Sequence, residues 1–345
     1  MDSCRSSPFF SIIILNWNGR HLLEECLDSV LSQGFRDFEV FVVDNGSTDG
    51  SIDFLREGWG DRIRIIPLPS NLGFAGGNNA GIRAAGGRWI VLLNNDTAVD
   101  PGWLSALAGA IGRHPDAGMF TPKILNYYRR DEIDNTGHVI YPDGLARGRH
   151  RLEKDDGRFD EEGEAIWPSG CAGVYRRDML DEIGLLDESF FAYGEDVDLG
   201  MRGRWAGWTC FFVPDAVVYH LYSATTGTYS PRKAFLVERN RNWILIKNFP
   251  LREILLSPFF TGYRYGMHFA GAISGRGASG KFARKFSVGR LFLTTLKAET
   301  LALTGVPRAL RQRKVMGPLR RISAADFREL LRRFRMTARE AVFKE

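Results

Sequence analysis

Residues 89–97 read Trp-Ile-Val-Leu-Leu-Asn-Asn-Asp-Thr, an apolar run that ends on a lone carboxylate, Asp96. The run is too short to cross a membrane and rich in branched residues, so it predicts a buried strand. Hard oxygen ligands at the carboxyl end of such a strand sit where open α/β sheets bind ligands. A divalent cation holding a phosphate suits this place, since Mg²⁺ takes one or two carboxylates together with substrate phosphates. A polar turn capped by Asp96 accounts for the same residues equally well. A second group, Phe190-Phe-Ala-Tyr-Gly-Glu195-Asp196-Val-Asp198-Leu, reads as a loop entering a helix. On a helix Glu195 and Asp198 share a face, and Asp196 is turned away by about 100°. The helix dipole favours acids in a first turn. Three within four residues exceed what capping needs, so at least one is expected to do chemistry.

The elements that would position these groups alternate in type. Ser11-Ile-Ile-Ile-Leu-Asn-Trp-Asn-Gly19 is a strand closing on polar residues, followed by helical spacing at Leu22, Leu23, Cys26, Leu27, Val30 and Leu31. Phe38–Asp44 is a second strand ending on a carboxylate, with Asn45–Asp49 as a turn and helix cap. Ile63–Ile66 is a third. The glycine-rich stretch Asn71–Gly81 is expected to let backbone approach a ligand closely. This β-α-β-α-β order predicts a mostly parallel sheet with right-handed crossovers, and it brings Asn16, Asp44 and Asp96 to one edge. Asn126–Arg149 predicts a hairpin or long loop, and Trp208–Pro214 and Ala216–His220 predict two short strands. An isolated His220 after a strand is in general a structural histidine, and Trp167 suits either a sugar ring or a core.

Five segments carry a resemblance. Ile14-Leu-Asn-Trp-Asn-Gly19, Val42-Val-Asp-Asn-Gly-Ser-Thr-Asp49, Asn71-Leu-Gly-Phe-Ala-Gly-Gly-Asn78, Leu92-Leu-Asn-Asn-Asp96 and Tyr193-Gly-Glu-Asp-Val-Asp198 occur in this order. Together they resemble the inverting, nucleotide-sugar-dependent glycosyltransferases of family 2, with the α/β GT-A fold, and most closely the rhamnosyltransferase-like bacterial branch. The resemblance spans residues 8–249 and implies a nucleotide-sugar half at 8–125 and an acceptor half at 126–249. It implies a nucleoside-diphosphate sugar, dTDP or UDP in preference to GDP, held by Asn16, Trp17, Asp44, Asn71, Gly73, Asn78, Asn94 and Asn95. It implies Mg²⁺ or Mn²⁺ at Asp96 with His220 as a further ligand, and a sugar and acceptor pocket at Trp167, Gly170 and Cys171. It places the catalytic base among Glu195, Asp196 and Asp198, and we assign it to Asp196. One departure stands out: the family's Asp-x-Asp metal signature begins here with Asn94, which leaves a single carboxylate. The acceptor implied is a glycan or a lipid-linked glycan. A non-catalytic nucleotide-sugar or nucleic-acid binding protein is the alternative, though a binder needs no base.

Composition fits one large α/β domain with an appendage. Cys4, Cys26, Cys171 and Cys210 show neither paired nor CxxC spacing, which argues against a disulfide frame or a zinc site. Met1–Phe10 lacks the basic start and long apolar run of a signal peptide, so a cytoplasmic chain is expected. Residues 251–345 hold 20 Lys or Arg and 6 Asp or Glu, a net of +14 in a chain whose total is +5, so the first 250 residues carry −9. This basic region interleaves apolar groups such as Phe259, Phe260, Tyr263 and Phe269, with Arg264 and His268 interrupting any spanning stretch. We expect from it a helical tail over 250–345 lying peripherally on the anionic inner face of the cell membrane. Nucleic acid is the rival partner, and a solvated helical face the plain reading. Oligomeric state stays open, a homo-oligomer included. Gly275–Lys281 nearly spells a phosphate-binding loop, but Phe282 stands where Ser or Thr is required, and a hinge is expected there.

Overall fold

The computed structural model describes residues 7–221 and 230–344; Cys4 lies outside them. The strands are β1 (Phe10–Asn16), β2 (Phe38–Asp44), β3 (Arg64–Pro67), β4 (Trp89–Asn94), β5 (Thr97–Val99), β6 (Met119–Asn126), β7 (Ile133–Asn135), β8 (His138–Ile140), β9 (Ala146–Gly148), β10 (Gly163–Glu164), β11 (Val174–Arg176) and β12 (Cys210–His220). The helices are α1 (Arg20–Leu31), α2 (Ser51–Trp59), α3 (Gly73–Ala84), α4 (Trp103–Arg113), α5 (Arg177–Ile183), α6 (Glu195–Trp205), α7 (Pro231–Asn248), α8 (Leu251–Ser274), α9 (Gly277–Phe286), α10 (Val288–Thr304), α11 (Val306–Met316), α12 (Ala324–Arg333) and α13 (Ala338–Phe343).

The main sheet runs β10-β12-β6-β11-β4-β1-β2-β3. Its amino-terminal half, β3-β2-β1-β4, is wholly parallel, while β11 enters antiparallel between β4 and β6. Continuous Ile, Val and Leu runs in β1, β2 and β4 follow from burial on both faces. Ile13, Val43 and Leu92 pack with Ala75 and Ile82 of α3 on one side. Ile12, Ile14, Val42 and Leu93 pack with α1 and α4 on the other.

Three local expectations change. The glycine-rich stretch, expected to let backbone approach a ligand, is mostly helix and brings backbone close to the sheet instead. Gly77 and Gly81 let α3 lie close on the sheet, since a Cβ there would fall 2.3 Å from Leu15 and 2.5 Å from Ile13. The two strands foreseen after Trp208 are one, β12, whose register against β6 shifts between Val213 and Val217. Pro214 lies in that interval, and a residue without an N–H is suited to a bulge. The third change concerns the basic region, which is helical but is no free tail. Trp205 of α6 stacks on Phe327 of α12, centroids 4.0 Å apart and planes within 5°. Arg264 of α8 is fully buried, its Nε donating to Asp143 Oδ2 at 2.7 Å and its Nη1 to Glu238 Oε1 at 2.7 Å. A buried guanidinium requires such partners. Gly275 ends α8 in the left-handed conformation at φ 72° and α9 begins at Gly277, so the break between the helices is confined to Gly275 and Arg276, and Lys281 lies within α9. Among the described residues, no helix is long and apolar enough to cross a membrane.

Candidate active site

In the parallel ladder Asn16 lies beside Asp44 and Leu15 beside Asn94, so the polar residues ending β1, β2 and β4 emerge level on one edge. They brace one another. Asn16 Nδ2 donates to Asp44 Oδ2 at 3.1 Å, Asn95 Nδ2 donates to Asn16 Oδ1 at 2.8 Å, and Asp44 Oδ1 accepts from the Ser47 backbone N–H at 2.9 Å. Asn16 and Asp44 are fully buried and lie beneath the cleft wall; Trp17, Asn45, Asn71 and Gly73 line it. Gly73 adopts φ +77°, and a Cβ would fall 2.4 Å from the Phe191 carbonyl, so only glycine fits this joint.

Above this edge opens a cleft of about 730 Å³. Asn94, Asn95 and Asp96 form one wall with Gly170 and Cys171, and the head of α6 and one face of α7 form the other. The β5–β12 ladder sets His220 beside Thr97, and the Leu221 N–H donates to the Asp96 carbonyl at 2.9 Å. As a result His220 Nε2 lies 3.4 Å from Asp96 Oδ1, while Nδ1 lies 2.7 Å from Asp134 Oδ2. Burial disfavours charge on this ring, but Cys171, Asp134 and Asp96 override it and raise the imidazole well above its ordinary value. The Asp96 oxygen and His220 nitrogen fit one divalent ion, because neighbouring ligands at roughly 2.1 Å from a six-coordinate cation stand about 3 Å apart.

Gly194, at φ +98°, turns the chain into α6 and presents its first residues to the cleft. Asp196 Oδ2 accepts from the Gly170 N–H and Oδ1 from the Val197 N–H, both at 2.8 Å. His138 Nε2 is 3.8 Å from the same carboxylate. Glu195 also reaches the cleft but is buried. Burial and the adjacent Asp196 charge push its carboxyl well above the usual range. Asp198 does not reach the cleft. It is fully buried and receives Lys247 Nζ at 2.8 Å, Asn248 Nδ2 at 2.9 Å and Arg202 Nε at 3.0 Å. Burial opposes its charge, yet Lys247 and Arg202 hold it below the ordinary value. Asp198 is therefore a buried ionic anchor, which corrects its candidacy as a base.

Two further expectations are corrected. Asn78 is turned inward by the winding of α3, where its side chain donates to the Phe74 carbonyl at 2.9 Å. Trp167 is fully buried under the cleft, with the Gly200 backbone against its Cβ, so it fills the core and stacks on no sugar. Sequence reasoning missed His138 and Asp134, which sit inside a stretch read only as a hairpin or loop. It also missed α7, which lines the cleft through Arg232, Lys233, Leu236 and Ile244. Ser230-Pro231 gave the available signal, a cap followed by proline at a helix start.

Comparison with known proteins identifies the fold and the family. A mycobacterial N-acetylglucosaminyl-diphospho-decaprenol L-rhamnosyltransferase (Mycobacterium tuberculosis H37Rv) is 29% identical over 263 residues, covering 65% of this chain and 82% of that protein. The O-antigen biosynthesis protein RfbC of Myxococcus xanthus is 31% identical over 209 residues, covering 57% of this chain and 16% of that protein. Among solved structures, S. aureus TarS 1–349 in complex with UDP-GlcNAc superposes with a TM-score of 0.54 at 19% identity, over 94% of this chain and 90% of that one. GalNAc-T7 with UDP, GalNAc and Mn²⁺ gives 0.57 at 18% identity, over 70% and 48%. These likenesses show a GT-A fold. The family model for glycosyl transferase family 2 matches residues 11–184, which hold β1 to β4 and most of the cleft wall they support, and the chain belongs to that family.

Proposed function

We propose that this protein is an inverting glycosyltransferase. It moves rhamnose or a similar hexose from a dTDP- or UDP-linked donor to a hydroxyl of a lipid-linked or glycan acceptor, in bacterial surface polysaccharide or glycolipid synthesis. One observation carries the reading: Asp96 with His220 and Asp196 line the same cleft, from the strand ends and from a helix head respectively. Asp196 accepts the proton of the acceptor hydroxyl as the new bond forms, held in place by the Gly170 and Val197 amides. Mg²⁺ or Mn²⁺ bound at Asp96 and His220 would offset the charge growing on the diphosphate leaving group. The basic Arg147, Arg232 and Lys233 on the cleft lining suit an anionic donor or acceptor. Mn²⁺ in the GalNAc-T7 structure, and the decaprenyl-linked acceptor in the rhamnosyltransferase's name, support metal and acceptor class respectively.

The acceptor class also gives the C-terminal helices a role at the inner face of the membrane. Leu251, Leu255, Phe259 and Tyr263 recur every fourth residue along α8 and are all exposed, as are Phe292, Leu293, Leu296 and Leu303 of α10. Exposed Arg252, Lys281, Arg284, Lys285 and Arg290 accompany them. Apolar side chains flanked by cations are what binding to an anionic bilayer surface requires.

The test is thermal stability of the native protein with a set of nucleotide sugars, each with and without Mn²⁺, followed by assay of nucleoside diphosphate release. One dTDP- or UDP-sugar should stabilise the protein only with metal and be slowly hydrolysed. Asp96→Ala should abolish the metal-dependent part. A donor that binds equally well without metal overturns the metal assignment. A donor that binds yet releases no diphosphate, even with a lipid-linked glycan present, identifies a binding protein instead.

A further inference from the structure

The metal pair has a buried neighbour that the motif pattern does not contain. Asp134 lies in β7, β7 and β12 both pair with β6, and this arrangement places the Asp134 carboxylate against His220. The contact is short, 2.7 Å from Oδ2 to Nδ1, and both side chains are about nine-tenths buried. Arg151 pairs with the other oxygen, Asp134 Oδ1, so the carboxylate is fixed at both ends. His220 Nε2 in turn faces Asp96 Oδ1 at 3.4 Å. A histidine serves one metal through one nitrogen, and a carboxylate accepting from the other nitrogen fixes ring tautomer and orientation.

We infer that Asp134 is a positioning residue of the metal site: it takes the Nδ1–H of His220, leaves Nε2 as the ligand nitrogen, and returns near the site the carboxylate that Asn94 lacks. This rests on the assignment of the metal to Asp96 and His220. In sequence terms the acidic partner of Asp96 has moved from two residues before it to a different strand, where it acts through an imidazole.

The experiment measures Mn²⁺ affinity in the presence of UDP by titration calorimetry, with UDP affinity in chelator as the control. Asp134→Asn should weaken Mn²⁺ about 10–100-fold and leave metal-free UDP binding unchanged. His220→Ala should weaken it at least as much, and the double variant should lose no more than His220→Ala alone. Arg151→Gln, which removes the ion pair but keeps the Asp134–His220 contact, should stay within a few-fold of native. If His220→Ala binds Mn²⁺ normally, the metal assignment itself fails. If His220→Ala loses Mn²⁺ while Asp134→Asn binds it as the native chain does, the Asp134 inference alone is overturned. Should Asp134→Asn not fold, nitrogen NMR of His220 in the native Mg²⁺-loaded protein decides. Protonated Nδ1 with bare Nε2 is the expected state, and the opposite tautomer overturns the inference.

Discussion

The Gly170 N–H donates to Asp196 Oδ2 at 2.8 Å, joining the loop before β11 to the head of α6 at a carboxylate that faces the cleft. One oxygen is thereby held at fixed height on the cleft wall. Asp196→Asn retains one side-chain oxygen, enough to accept from one of the two amides, but cannot take up a proton. Turnover should fall by on the order of 10²–10⁴ at saturating donor and acceptor, with donor affinity and melting temperature nearly unchanged. Glu195→Gln, which leaves the Asp196 carboxylate in place, should cost far less. Near-normal turnover in Asp196→Asn together with a large loss in Glu195→Gln would move the base to Glu195.

Asp198 separates stability from chemistry. Its replacement by Asn leaves Arg202 buried without its carboxylate and Lys247 with Asp187 alone. Breaking a buried ion pair from one side typically costs about 3–5 kcal/mol. Urea unfolding should register a loss of this order, while the fraction still folded keeps its donor affinity. A variant as stable as the native chain would contradict the anchoring role.

The outer face of α8 offers a test that leaves the cleft untouched. Leu255→Glu combined with Phe259→Glu replaces two exposed side chains, so stability should change little. Sedimentation with phosphatidylglycerol-containing vesicles should be lost, and turnover on a soluble acceptor should persist. Vesicle binding equal to that of the native protein would remove α8 from the membrane contact.

Acidification should loosen the C-terminal helices before most carboxylates titrate. Burial, helped by the charge of Arg264, lowers His268 from 6.5 to about 4, and its Nδ1 lies 2.6 Å from Ser279 Oγ. The unfolded chain therefore takes up this proton first as pH falls. The stability contributed by neutral His268 is complete above about pH 6.5 and is lost progressively down to about pH 4, with about 3 kcal/mol at stake. His268→Gln should flatten the melting temperature between those pH values. An unchanged slope would assign the acid sensitivity elsewhere.

The parallel half of the fold was legible because its strands are continuous apolar runs ending on polar residues, a pattern that fixes both strand and edge. The cleft positions of Asp96 and Asp196 were legible for the same reason: each stands within two residues of the end or start of a regular element. Asp198 and Trp167 were not, because helical phase and composition give a direction without saying what lies there. Lys247, 49 positions from Asp198 in the chain, decides the fate of that carboxylate. Asp134 was hidden more deeply, since a three-residue strand has no periodicity and its partner lies 86 residues away. The basic region is helical as its sequence indicates, but composition does not reveal how it packs. Its charge suggested a separable tail, whereas Arg264 and Phe327 are fully buried against the rest of the chain.

Helix α7 has one face on the cleft and another gripped by the C-terminal helices, where Arg241 Nη2 donates to Glu299 of α10 and Trp243 Nε1 to the Ala302 carbonyl. The acceptor wall and the outer helices thus share a single beam. Exchanging these helices between relatives, or trimming them for crystallisation, would redraw the wall against which an acceptor rests. On the proposed function, acceptor preference and membrane attachment would be traits that this scaffold inherits together.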